Sequence, residues 1–165
     1  MKPVTLLLVA VAMTLTHLAA CAQTSTDGDA MAIDAAVAKY LRPSLPSTGV
    51  AFETRTKIRQ EWVESRSSAR LGVFAKALQA VPVHHDTVYV CSDRFDPTTC
   101  ALRNMRTLMS FTDATITGTT AVVRVSRLDS SGYKRIPVTG HDFELHLVRD
   151  GKTWRVVSQK ELRIT

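Results

Sequence analysis

A chain of 165 residues, 45% of them hydrophobic and 22% charged, is long enough to form one domain with a sizeable core. Its formal net charge is +6, and the basic residues are scattered: Arg55, Lys57 and Arg59, then Arg66 and Arg70, then Arg103 and Arg106. Such scatter fits a solvated helix face or a contact with anionic lipid headgroups, and excludes the concentrated basic footprint of a nucleic-acid binder.

The first element is a leader. Met1-Lys2-Pro3 precedes the run VTLLLVAVAMTLTHLAA, and one positive charge, a short apolar stretch and small residues at its end make residues 1–20 a secretory signal peptide. Thr14, Thr16 and His17 interrupt the run, which falls short of the roughly 20 apolar residues that a bilayer-spanning helix needs. Removing it takes Lys2 away and leaves 145 residues with a formal charge of +5. Residues 21–29, CAQTSTDGD, read as a short flexible tether. Residues 30–165 then form a single domain.

That domain opens helically. DAMAIDAAVAKYLRP sets Ile33, Val37, Tyr40 and Leu41 on one stripe, with Asp29 as the cap and Pro43 as the stop. PSLPSTG is a turn-rich connection. A second helical stretch, about 54 to 80, carries Ile58 and Trp62, then Leu71, Phe74, Leu78 and Val81; it breaks near Ser65-Arg66-Ser67-Ser68 and ends at Pro82. The second half reads as strands. DTVYVCS is short and β-branched, and DATITGTTAVVRVSRLD ends in the turn signal DSSG. In GHDFELHLVRDGKTWRVVSQKELRIT, Phe143, Leu145 and Leu147 share a face, Asp150-Gly151 turns the chain, and Trp154 and Val156 resume that face. Helices first and long strands after predict an α+β domain, with N-terminal helices packed on one face of a bent antiparallel sheet. Trp62, Trp154, Tyr89 and Tyr133 are candidates for its core or for the lining of a pocket.

Cysteine usage follows from the leader. Cys91 and Cys100 form an even pair in an exported chain, which reads as a disulfide. Closing so short a loop stabilises by about 2–3 kcal/mol. Zinc binding through the pair would need further ligands at a spacing that the sequence does not offer. Cys21 is the odd thiol.

Leu18-Ala19-Ala20-Cys21 resembles the lipobox of bacterial lipoproteins, a leucine and two small residues before a cysteine. The resemblance implies cleavage before Cys21, a thioether-linked diacylglycerol on its sulfur and a cell-envelope protein anchored by that lipid, facing the periplasm. Ordinary cleavage after Ala22 is the alternative, because Ala20-Cys21-Ala22 also fits the small-x-small pattern, and it implies a secreted form. The closing VRDGKTWRVVSQ resembles the last hairpin of the nuclear-transport-factor-2-like (SnoaL-like) superfamily. Over residues 30 to 165 this implies a strongly curved antiparallel sheet wrapped around N-terminal helices as a cone. The Cys91–Cys100 loop departs from that pattern, since it stands where the family usually has a short helix. The superfamily contains isomerases, dehydratases, cyclases and epoxide hydrolases beside binding domains, so the fold alone assigns no activity.

The chemistry-bearing residues are few. His84, His85 and Asp86 stand at a helix-to-strand connection, and adjacent histidines in an extended segment point apart. A metal would need partners such as Glu144 and His146, and no metal site or cofactor is assigned. Asp142, Glu144 and His146 share the face opposite Phe143, Leu145 and Leu147, away from any pocket, whereas His141 is on the apolar side at the strand's start. No G-x-S-x-G elbow or glycine-rich phosphate loop occurs. Asp93, Arg94, Phe95 and Asp96 sit between the two cysteines, as a partner-contact loop or as part of a plain staple. The expected function is non-catalytic binding of a small apolar ligand in the cone or of an envelope protein. The alternative is an isomerase, dehydratase or hydrolase that uses His141, His84 or His85 with a nearby carboxylate.

Overall fold

A computed structural model describes residues 27–58, 61–63, 66–84, 88–91, 100–103, 105–130 and 139–164. The leader, Cys21, His85, Tyr133 and the stretch from Asp93 to Asp96 lie outside the described residues.

Helix α1 spans Asp27–Leu41 and begins two residues before the expected cap, so the last three tether positions are helical. Asp27 and Asp29 in its first turn and Lys39 in its last complement the helix dipole. Ala30, Ile33, Val37, Ala38 and Leu41 are buried, at the spacing of one helical face. Asp29 is not spent as a cap: its carboxylate accepts from Arg149 at 3.3 Å and from the Trp154 indole at 3.5 Å. A 3-10 turn with Pro43, Arg42–Ser44, ends the helix.

After strand β1 (Val50–Glu53), the segment expected to be helical from about 54 opens instead with two strands, β2 (Thr56–Ile58) and β3 (Glu61–Val63). All four β1 residues are buried, an apolar run suited to a strand covered on both faces. The helical reading failed because Ile58 and Trp62, four apart as on one helical face, instead belong to two short antiparallel strands, in register with Glu61 and Lys57. Gly49 precedes β1 at φ +76, and a Cβ there would meet Arg106 at 3.2 Å, so a side chain at this position would be strained and glycine is favoured. Helix α2 (Ser68–Leu78) starts where the break was expected. The Ser67 side chain accepts from the Arg70 amide as N-cap, and Gln79 closes the helix in the left-handed region.

The remaining strands are β4 (Val81–Val83), β5 (Tyr89–Cys91), β6 (Cys100–Leu102), β7 (Thr107–Phe111), β8 (Thr115–Thr117), β9 (Thr120–Asp129), β10 (Thr139–Asp150) and β11 (Thr153–Ile164). The main sheet has seven strands in the order β11-β10-β9-β7-β1-β4, with β8 paired to β9; β2–β3 and β5–β6 are separate hairpins. It is an open α+β arrangement of two helices on a sheet. The sheet is mixed, which corrects the antiparallel expectation: β1 runs parallel to both β4 and β7.

Both helices pack on one face. There Ile33, Val37 and Leu41 of α1 and Phe74 and Leu78 of α2 meet Phe52, Met109, Phe111, Val125, Phe143, Leu145, Leu147 and Trp154. A smaller cluster forms on the opposite face, where Val88 and Leu102 cover Ala51 and Leu108. Hairpin β5–β6 thus covers the β1–β7 half of the sheet. The β10–β11 hairpin follows the expected alternation, with Phe143, Leu145, Leu147 and Trp154 buried and Gly151 turning at φ +59. Its strands of 12 residues reach about 40 Å, whereas α1, at 15 residues, covers only about 22 Å. Asp29 meets Trp154 at one end of α1, and Tyr40 donates to Gln159 at 3.5 Å at the other. Lys160 to Ile164 therefore run on beyond the helix.

Candidate functional site

The uncovered end of the helix-side face gathers the polar groups of interest. Strand register sets His141 of β10 opposite Arg127 of β9, and Phe143 opposite Glu161 of β11. His141 Nδ1 lies 3.3 Å from Glu161 Oε1. Arg127 Nε is 2.7 Å from Asp129 Oδ2, an ion pair without hydrogen-bond alignment, and its Nη1 donates to the Ser44 carbonyl at 3.3 Å. The buried Thr107 hydroxyl donates to the other Asp129 oxygen at 2.6 Å. The array runs Thr107–Asp129–Arg127 and, across the strand, His141–Glu161.

Glu161 reaches this face because of a β-bulge. Unbroken pairing outward from Asp150↔Thr153 would set Glu161 opposite Asp142, on the outer face. A register shift between His146 and Leu147 leaves Val157 as an extra residue and moves Glu161 opposite Phe143, on the helix side.

The array is open to water: the side chains of Arg127, Asp129, His141 and Glu161 are between 24% and 42% exposed. General acid–base chemistry works on a sequestered substrate, whereas an exposed rim of one cation, one imidazole and two carboxylates is suited to accepting and orienting polar groups of a partner.

The other candidates fall elsewhere. Asp142, Glu144 and His146 lie on the outer face, tied to neighbours: Arg124–Glu144 at 2.9 Å, His146–Glu144 at 3.7 Å and Arg163–Asp142 at 3.4 Å. His84 is exposed at the end of β4, four strands from His141, or about 19 Å at ordinary strand spacing, so the two are not brought together. The described residues contain no group of three or more side chains able to hold a metal ion. None of their helices is long and apolar enough to cross a membrane. No family model, curated protein or solved structure matches the chain.

Two charged clusters escaped the sequence reading. Arg70 of α2 grips Asp34 of α1 through two hydrogen bonds, at 2.7 and 3.1 Å, and reaches Asp113 at 3.0 Å. Arg66 lies over the rings of Phe74 and Phe111 and donates to the carbonyls of Phe111 and Thr112. Burial pushes the Asp34 carboxyl above its ordinary range, against the pull of Arg70. This cluster clamps both helices to the sheet. Asp34, next to Ile33 on the apolar stripe, was its one visible sign. On the other face Glu53, also buried, accepts from the Ser110 hydroxyl at 3.1 Å. Burial, then the charge of Glu53, raises the pKa of the Tyr89 phenol. Beside the 3-10 turn lies an open depression of about 580 Å³ lined by Lys39, Arg42, Pro43, Leu45, Ser47 and Ala77. Its guanidinium is already committed, since Arg42 donates to the Pro46 carbonyl and to Gln79 Oε1, each at 2.8 Å.

Proposed function

We propose that this is an exported protein, lipid-anchored at Cys21 in a bacterial cell envelope, that acts by binding another envelope protein and not by catalysis. The observation that carries the choice of partner is the filled helix-side face of the sheet. Phe52, Phe74, Phe111, Ile33, Leu145 and Leu147 are all fully buried between helices and sheet, where a cone-bound apolar ligand would have to sit. The exposed His141–Glu161 and Arg127–Asp129 rim supports recognition of a surface over turnover of a substrate. The leader and the lipobox-like Leu18-Ala19-Ala20-Cys21 support the anchor. For the fold, the finer reading is a nuclear-transport-factor-2-like cone, supported by helices seated on one sheet face and by the Asp150-Gly151 hairpin with Trp154.

A cross-strand disulfide between Cys91 and Cys100 belongs to the same proposal. The two are register partners in β5–β6. The Arg103 amide donates to the Val88 carbonyl at 2.8 Å, so alternation along the ladder makes Cys91/Cys100 a non-hydrogen-bonded pair. Such pairs have Cα atoms about 4.5 Å apart, inside the roughly 4.4–6.8 Å that a disulfide spans.

Intact-mass measurement on protein expressed with its own leader tests both features. The expected species starts at Cys21, carries acyl chains and is two hydrogens light, and Cys21→Ser releases the protein from the membrane fraction. Unchanged membrane association of Cys21→Ser would overturn the anchor, and a full set of titratable thiols at Cys91 and Cys100 would overturn the disulfide.

A further inference from the structure

We infer that the free edge of β11 is a docking strand for an extended acidic segment of a partner protein, which adds to the sheet as a further strand. The inference rests on the proposed function and names the kind of partner. Among the described residues β11 is the last strand of the sheet, and every residue from Val157 to Ile164 is exposed. An unpaired edge presents a row of free N–H and C=O groups that an extended chain can complete.

The side chains select what docks there. Register with β10 assigns Arg155, Ser158, Lys160 and Arg163 to the outer face, opposite Val148, His146, Glu144 and Asp142. Three of those four edge positions are cations. Arg163 is tied to Asp142, while Arg155 and Lys160 form no ion pair among the described residues. The strand's one carboxylate, Glu161, is turned to the other face and held by His141. An incoming strand therefore meets a row of positive charge on its outer side, and acidic residues at alternate positions answer it.

Apolar surface accompanies the charge. Of the five exposed large hydrophobic residues among those described, Val157, Leu162 and Ile164 lie on this strand and Tyr40 lies beside it, with Val81 alone elsewhere. Such clustering marks contact surface more than scattered exposure does. The extra residues Val157 and Leu162 also interrupt the ladder. Charge and bulges both discourage indiscriminate edge pairing, so the strand that docks must match the cations and the short regular run from Ser158 to Glu161.

Fluorescence anisotropy on the full chain in non-ionic detergent tests this with labelled peptides of about ten residues, the length of a long strand. One alternates valine with glutamate, one alternates valine with lysine, and one carries the valines and glutamates in two blocks. The alternating acidic peptide is expected to bind saturably, at least about tenfold tighter than either other peptide, and to weaken at least about tenfold in Arg155→Glu/Lys160→Glu/Arg163→Glu. Reversal of cations off the strand, Lys76→Glu with Arg103→Glu, should leave it unchanged, which separates docking from attraction to a basic protein. Equal affinity for the three peptides, no saturable binding up to about 1 mM, or indifference to the triple reversal would overturn the inference. Any of these together with membrane release of Cys21→Ser removes the docking strand and leaves the anchored protein; unchanged membrane association removes the anchored function and leaves the peptide result standing.

Discussion

Strands β1 and β11 belong to one sheet and live under opposite conditions. All four residues of β1 are buried, with helices on one side and hairpin β5–β6 on the other, whereas β11 is exposed from Val157 onward. A strand covered on both faces serves the fold. A strand uncovered from Val157 onward, bearing cations in a row and three exposed aliphatic residues, is a surface on which something else can be built. Burial on both faces is found at β1 and β7, and the last eight residues of β11 are uncovered, so sequence changes at these two places should separate stability from binding.

The largest contrast comes from truncating β1. Phe52 is fully buried and its ring centroid lies 5.7 Å from that of Phe74. Phe52→Ala should cost about 3–5 kcal/mol in denaturant unfolding, and a loss below about 1 kcal/mol would deny β1 its place at the centre of the core. A smaller effect sits on the outer face of the same half. The Tyr89 phenol has its pKa raised above 10.0, first by burial and then by Glu53. The folded state then keeps a proton that the unfolded chain loses, so this contribution is complete below about pH 10 and falls as pH rises through the higher folded value. Tyr89→Phe should flatten the alkaline limb of stability against pH, and an unchanged limb would remove Tyr89 from it. The smallest effect belongs to β11: Val157→Ser should change stability by no more than about 0.5 kcal/mol. A cost near that of Phe52→Ala would erase the contrast between the halves.

The two halves also differed in how much of them the sequence revealed. The β10–β11 hairpin was legible because burial on one face leaves a period of two: Phe143, Leu145 and Leu147 alternate with Asp142, Glu144 and His146. The covered half was not. Val50 to Glu53 is an unbroken buried run ending in a carboxylate, with no alternation to read, and the parallel pairings of β1 depend on which distant segments meet it. At the candidate site His141 was visible and its partner was not. Glu161 lies 20 residues away and faces His141 because Val157 slips the register by one, and no pattern of residue types announces a bulge. Arg127 and Asp129 arrive through the pairing of β9 with β10 and β7, again beyond local periodicity.

Hydrogen exchange on the full chain, alone and with the alternating valine–glutamate peptide, tests the division most directly. Amides of β1 and β7 should exchange slowest in the free protein and remain unchanged by the peptide, while those of β11 exchange fast and become protected when it is added. If β11 is as protected as β1 without the peptide, or if protection on adding it falls anywhere but β11, the division into a half that holds the fold and a half that receives a partner is wrong.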